Sequence, residues 1–323
     1  MDGVRGQGAA LSLAVIAVAA AVILAALAIP FLFLQYRTVD VREEQTIALP
    51  TGAERIELNV TATVGRLLVE FVDLPDRSAR VVAEVKGHSG YFGEASPIRL
   101  DVTASNDTAQ GGETVYASVR FDTYAPWPYY SLSETVYTLQ LNRSLRADLN
   151  LTVTTGGVVL YTVPGVVLEG LRLNATNDGA VVSLGNGTIL AGDIRIRTAT
   201  GGTALLWTNV TVVGDRTVSL TESSGFIMAH FDQASPLGSD VSVVCKNTVG
   251  EIEVSFLLRG DVSAGVTAHG GIGGIGLVPI EGFSGTAALF ASDNYPASSG
   301  FDARLNNTLG SIEVEGSWTS DRH

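Results

Sequence analysis

The sequence predicts an all-β protein: a β-solenoid body carried on one N-terminal transmembrane helix, with a β-sandwich as the alternative for the body. Three observations predict this. An uncharged run of 26 residues, Ala9–Leu34, lies near the N-terminus. Beyond it, apolar and polar residues alternate along most of the chain, as they do in strands with one buried face. From residue 149 a unit of strand, polar turn, glycine and strand recurs about every 20–25 residues, the mark of a stacked repeat.

The apolar run comes first. A bilayer core needs about 20 apolar helical residues. Ala10 to Ile29 supply them, spanning roughly 30 Å at a rise of 1.5 Å per residue. Phe31 to Tyr36 then fall at the interface, where aromatic rings are favoured. Residues 1–8, MDGVRGQG, form a short inner terminus. The run exceeds the length of a signal peptide's apolar region, so an uncleaved anchor is the first reading. A cleaved signal ending at the small-x-small pattern Ala26-Leu27-Ala28 is the second.

The body divides into an N-terminal β region (36–148), a repeat solenoid (149–316) and a polar tail (317–323). In the first part RIELNVTATVGRLLVEF (residues 55–71) alternates cleanly. ARVVAEVKG, IRLDVTAS, TVYASVRF and TVYTLQLN read as further strands. SNDTAQGGE and YAPWPYY read as turns between them. Trp127 and its tyrosines read as a loop folded over the end of the core.

The repeat then begins. LNLTVTTGGVVLY, LRLNATNDGAVVSL, IRIRTATGGTALLW, VSLTESSGFIMAH, VSVVCKNTVGEIEVSF and VSAGVTAHGGIGGIGL align on Gly157, Gly179, Gly202, Gly225, Gly250 and Gly271, at gaps of 22, 23, 23, 25 and 21 residues. Gly310 marks a last unit and Gly65 an early one. One such unit cannot bury its apolar face alone, whereas stacked units bury a continuous core. Glycine suits the corner because it tolerates positive φ. The tail GSWTSDRH is the candidate cap for the open end of the stack.

Composition bounds the partners. The formal charge is −13, which excludes nucleic acid as an expected partner. The one cysteine, Cys245, sits in an apolar strand and reads as a small buried side chain. Eight of the twelve asparagines begin N-x-[ST]: Asn59, Asn106, Asn142, Asn150, Asn174, Asn186, Asn209 and Asn306. Ser and Thr are about a sixth of the chain, so chance supplies about two. The excess points to a glycan-bearing body outside the cell and a single-pass plasma-membrane anchor.

Motifs for chemistry are sparse, and no enzyme, cofactor or metal is expected. Gly271-x-Gly273-x-x-Gly276 matches a dinucleotide fingerprint, but LVPIEGFSG follows it and cannot open the helix that would hold a pyrophosphate. His88, His230, His269 and His323 show no metal spacing. No G-x-S-x-G elbow and no calcium loop are present. Asp193, Arg195 and Arg197 share one strand face, with Asp215 and Arg216 in the next connection. They form either a carbohydrate-binding or carbohydrate-active strip or a solvated face with weak charge pairs.

Two resemblances add to this. The repeated strand, T-x-x-G, strand pattern over residues 50–316, with YTLQLNRSLRADLNLTVTTGGVVLY leading into it, resembles the "putative adhesin" family of β-solenoid domains in prokaryotic envelopes. That resemblance implies a surface protein with a structural or adhesive role, meeting envelope glycans, surface-layer proteins or other copies of itself. Arg5-Gly6-Gln7 before the long apolar helix resembles the processing site of archaeal type IV prepilins. That resemblance implies cleavage before Gln7 and a helix packed in a filament core.

Overall fold

The computed structural model describes residues 37–89, 97–109, 112–123 and 130–320. The expected membrane helix over 9–35, Trp127 with its neighbouring loop, and His323 lie outside the described residues. Every regular element described is a strand. In chain order they are β1 (Arg37–Ala48), β2 (Ala53–Val64), β3 (Arg66–Val72), β4 (Arg77–Ser89), β5 (Ile98–Ala109), β6 (Gly112–Thr123), β7 (Tyr130–Asn142), β8 (Arg146–Thr155), β9 (Val158–Tyr161), β10 (Val167–Asn177) and β11 (Ala180–Leu184). There follow β12 (Ile189–Leu190), β13 (Ile194–Thr208), β14 (Thr211–Val212), β15 (Arg216–Gln233), β16 (Val241–Arg259), β17 (Val262–Ile272), β18 (Ile275–Glu281), β19 (Phe283–Thr286), β20 (Leu289–Ser292), β21 (Ser299–Leu309) and β22 (Ile312–Thr319).

The pairings resolve into two long ladders. The first runs β5-β6-β2-β8-β10-β13-β15-β16-β21-β17, parallel throughout except for the β5–β6 hairpin. The second runs β1-β4-β7-β3-β9-β11-β13-β15-β16-β22-β18, antiparallel only in its first two pairings. Strands β13, β15 and β16 are long enough to enter both ladders, bending between their halves. A short third row, β10-β12-β14, lies beside them. The sheet is not closed. The all-β class is met, and a sandwich of two sheets also fits this arrangement.

Alternation explains the core. In the first ladder Leu58, Leu149, Leu171, Ile194, Val218, Val243 and Ala303 fall in one column, each at most 2% exposed. In the second, Val69, Leu160, Val182, Leu205, Ala229, Val254 and Val314 do the same. Each residue shares its inward phase because the side-chain period of a strand is two and the pairing is in register. Trp207, Phe231 and Phe256 occupy one position on successive strands, with ring centroids 5.8 and 5.0 Å apart. Phe301 packs against all three.

Neither end follows chain order. Leu149 pairs with Leu171, Leu171 with Ile194, Ile194 with Val218 and Val218 with Val243, so the middle is sequential at offsets of 22 to 25 residues. At one end the β2–β3 pair sits between β6–β7 and β8–β9, so Leu58 pairs with Leu149, 91 residues on. At the other, β21–β22 sits between β16 and β17–β18, and Val243 pairs with Ala303, 60 residues on.

This corrects two expectations. Gly316–Thr319 of the polar tail is no cap, because it lies within β22, where Gly316 and Ser317 have partners in both β16 and β18. The end is covered instead by the β19–β20 hairpin. It buries Phe283 and Phe290 and fills the place of the missing side chain at Gly316. SNDTAQGGE is not an extended turn either: β5 runs to Ala109 and β6 starts at Gly112.

Candidate functional site

The outward face of the first ladder carries the polar side chains that repeat. One row across it reads Ser118, Asn59, Asn150, Arg172, Arg195, Ser219, Val244 and Arg304. The next reads Arg120, Thr61, Thr152, Asn174, Arg197, Thr221, Lys246 and Asn306. On the other side of the first row lie Tyr116, Glu57 and Asp148, directly across from one another on β6, β2 and β8.

Towards the β5 end this face is concave. A groove of about 460 Å³ is lined by Glu57, Asn59, Tyr116, Asp148, Asn150 and Arg172, with Thr103 to Ser105 of β5 as one wall. Tyr116 is 38% exposed. Asn150 Nδ2 donates to Asn59 Oδ1 at 3.2 Å. Arg55 reaches both groove carboxylates, Glu57 at 3.0 Å and Asp148 at 3.4 Å, and meets Glu169 at 2.6 Å. Arg146 also meets Glu169, at 2.5 Å. These half-buried pairs leave the groove's carboxylates engaged.

A second groove of about 270 Å³ shares Asp148 and Arg172 and adds Glu169, Asp193, Arg195 and Arg216. The structure therefore brings together three of the five charged residues that the sequence singles out, Asp193, Arg195 and Arg216. Asp193 pairs with Arg195 at 3.3 Å and takes the backbone N–H of Thr217 at 3.0 Å. Arg197 lies farther along the same strand face, between Asn174 and Thr221. Asp215 lines a different groove, with Asp240, Tyr295 and Asp302.

The sequon asparagines separate into classes. Asn59, Asn106, Asn174 and Asn186 are exposed. Asn150, Asn209 and Asn306 are half-buried, and Asn209 Oδ1 takes the N–H groups of Ala234 and Ser235. Asn142 is 4% exposed, and its Nδ2 donates to the carbonyls of Leu74 and Arg77 at 2.6 and 3.0 Å. Its Oδ1 takes the N–H and hydroxyl of Ser144, closing the turn that leads from β7 to β8.

The repeat glycines lie along one edge. Gly65, Gly179, Gly225, Gly250 and Gly310 have positive φ, and beside Gly157, Gly202 and Gly271 the positive φ falls on Gly156, Gly201 and Gly273. A Cβ on Gly250 would overlap the carbonyl oxygen of Gly225, and one on Gly310 that of Gly250. Gly273 turns β17 into β18, so a strand follows the G-x-G-x-x-G run, as its sequence context requires.

Beneath this edge is a row of buried polar groups: Thr198, Glu222, Asn247 and Asn307. Asn247 and Asn307 donate to the glycine carbonyls of the preceding corners, Gly225 and Gly250. Glu222 is 1% exposed, bonded by the Thr198 hydroxyl and the Ser224 N–H. Burial pushes its carboxyl above the usual range, against the lowering bonds from Ser224, Thr203 and Ser223. Cys245 lies in the core column between Leu220 and Leu305, and burial raises its thiol to about 12.

No protein-family model matches the chain, and no curated protein matches it. Solved structures do. One is described as a "putative cell adhesion protein" from Clostridium sporogenes, at 13% identity and a TM-score of 0.37, covering 86% of this chain and 100% of that one. A "putative adhesin" from Bacteroides fragilis has 8% identity and a TM-score of 0.32, covering 85% and 97%. Another, from Parabacteroides merdae, has 10% identity and a TM-score of 0.31, covering 84% and 95%.

Of the groove residues, only Asn59 and Asn150 are singled out by the sequence; Glu57, Tyr116, Asp148 and Arg172 are not, and Tyr116 is the one with a local signal. The signal was there: in TVYASVRF the apolar phase is Val115, Ala117, Val119 and Phe121, so Tyr116 is an aromatic in the solvent phase.

Proposed function

We propose that the chain is a single-pass, glycosylated surface protein whose body is a β-solenoid with a structural or adhesive role. The uncharged run over 9–35 is its anchor in the bilayer, and the strand-rich body stands outside. The observation that carries the reading is the outward face of the first ladder. Asn, Arg, Ser and Thr recur there on most strands, with Val244 the apolar exception, over a continuous apolar core. Such a face offers shallow, repeated contacts to envelope glycans, surface-layer proteins or neighbouring copies, which is what adhesion or a coat requires.

The test is the mass and N-terminal sequence of the protein purified from membranes of its own cells, with glycopeptide mapping. A start at Met1 or Asp2 and glycans at Asn106, Asn174 and Asn186 is the expected result. An unmodified mass would overturn the outward orientation. A start at Gln7 would replace the anchor with the filament-subunit reading, which the Arg5-Gly6-Gln7 site favours. A start at Ile29 would make the protein a released one.

A further inference from the structure

We propose that the groove between Tyr116 and Arg172 binds an acidic oligosaccharide. This deepens the adhesive reading by giving it a ligand, and rests on that reading for where the ligand is met.

The argument begins with spare bonding capacity. Glu57 and Asp148 are already engaged by Arg55. Arg172 is exposed and has no ion-pair partner among the described residues. Arg55 shares its one charge among Glu57, Asp148 and Glu169, so Arg172 is the one charged side chain lining the groove that has no ion pair among the described residues. A planar guanidinium suits a carboxylate or sulfate, which it can meet with two parallel N–H bonds.

The amides come next. With Asn150 Nδ2 donating to Asn59 Oδ1, Asn59 Nδ2 and Asn150 Oδ1 remain. That leaves a donor and an acceptor side by side, and vicinal sugar hydroxyls, each both donor and acceptor, answer such a pair. Tyr116 supplies the third element, an exposed ring whose apolar face can carry the C–H face of a pyranose while its hydroxyl stays wet.

Spacing decides the size of the ligand. Tyr116 is on β6 and Arg172 on β10, with β2 and β8 between them. Three strand spacings of about 4.8 Å give roughly 14 Å, so one sugar ring cannot touch both ends. The ligand is a short chain with its acidic unit at Arg172 and another ring on Tyr116. A glycan attached to Asn59 or Asn150 would fill the groove, so the proposal requires both sequons to be unmodified.

The full-length protein in detergent is titrated with tetragalacturonate and with neutral maltotetraose. Tighter binding of the acidic probe, weakening as salt rises, is expected. Tyr116→Ala should weaken both probes about tenfold. Arg172→Gln should remove about a tenfold preference for the acidic one, about 1.4 kcal/mol, while leaving the neutral one unchanged. Both residues are exposed, so unchanged melting temperatures show that the fold is intact. Equal affinity for the two probes, no binding of either, unaltered binding by both variants, or glycans mapped at Asn59 or Asn150 would each overturn the proposal. Labelling of intact cells separates the two levels: a labelled chain that binds neither probe sinks the groove alone. An unlabelled chain sinks the surface reading, whatever the titration gives.

Discussion

Replacing Gly250 by alanine combines two costs that other glycines of the same chain carry singly. Gly250 has φ +129°, and a Cβ there would overlap the Gly225 carbonyl oxygen and lie 2.8 Å from its carbon. Gly165 has φ +86° with nothing within 4 Å of its Cβ position, so it carries the backbone cost alone. Gly192 lacks positive φ, but its Cβ would lie 2.5 Å from the Glu169 carbonyl carbon, so it carries the crowding cost alone. Gly274 carries neither. A left-handed residue with a Cβ costs roughly 1–2 kcal/mol. Forcing an extra group into packed backbone costs roughly 1–3 kcal/mol. Gly165→Ala and Gly192→Ala should lose about those amounts, Gly250→Ala about their sum, roughly 2–5 kcal/mol, and Gly274→Ala should gain about 0.4–1 kcal/mol from a less flexible unfolded chain. Urea titration of the full-length protein reads each as a shift of midpoint at constant slope. If Gly250→Ala is no worse than Gly165→Ala, the corner glycines are there for φ alone. The close backbone contact between neighbouring corners is then refuted.

Three further outcomes follow from buried polar groups. The folded pKa of Glu222 is raised, chiefly by burial, so the folded chain holds that proton more tightly than the unfolded one. Its stabilisation is full below the usual carboxylate range and lost as pH rises through the raised value. Glu222→Gln should therefore gain in melting temperature over the parent as pH goes from 4 to 8, and a difference independent of pH would count against the assignment. Cys245, fully buried with its thiol at about 12, should ignore a thiol reagent at pH 8 until denaturant is added. Reaction in the native protein would refute its place in the core. Asn142 should carry no glycan in mapped peptides, and Asn142→Ala should cost roughly 1–3 kcal/mol by removing the side-chain hydrogen bonds to Leu74, Arg77 and Ser144 that hold the turn from β7 to β8. An Asn142 glycopeptide from folded protein would contradict that geometry.

Much of this was legible where a local rule decides. Alternation in RIELNVTATVGRLLVEF places β2 and β3 and the corner at Gly65 between them, because inward and outward phases follow directly from the pleat. Where two glycines stand together, the sequence could not say which turns. At Gly156-Gly157 and Gly201-Gly202 the positive φ falls on the first, a choice made by the backbone of the neighbouring strand. Eight sequons look alike on paper, yet Asn142 is consumed by a turn. The groove was illegible because its parts lie far apart in sequence: Tyr116, Asn59 and Arg172 meet only through the register of β6, β2, β8 and β10.

The ends were illegible for a deeper reason. A periodic pattern says that units stack, and chain order is the natural guess for the order of stacking. Any unit with the same period and phase fits any slot, however, because adjacent units meet through backbone bonds and columns of small aliphatic side chains. The β2–β3 pair lies between β7 and β9 in the second ladder and between β6 and β8 in the first. Closing the longer loop adds little entropy, since that cost grows only with the logarithm of length. The gain is that β2 and β21 have hydrogen-bonded neighbours on both sides, while the outer positions go to segments suited to an edge. In the first ladder the outer strands are β5 and β17, in the second β1 and β18, and Pro279 of β18 has no N–H to offer an incoming strand. That threading gives β2 and β21 paired neighbours on both sides, and no period in the sequence records it.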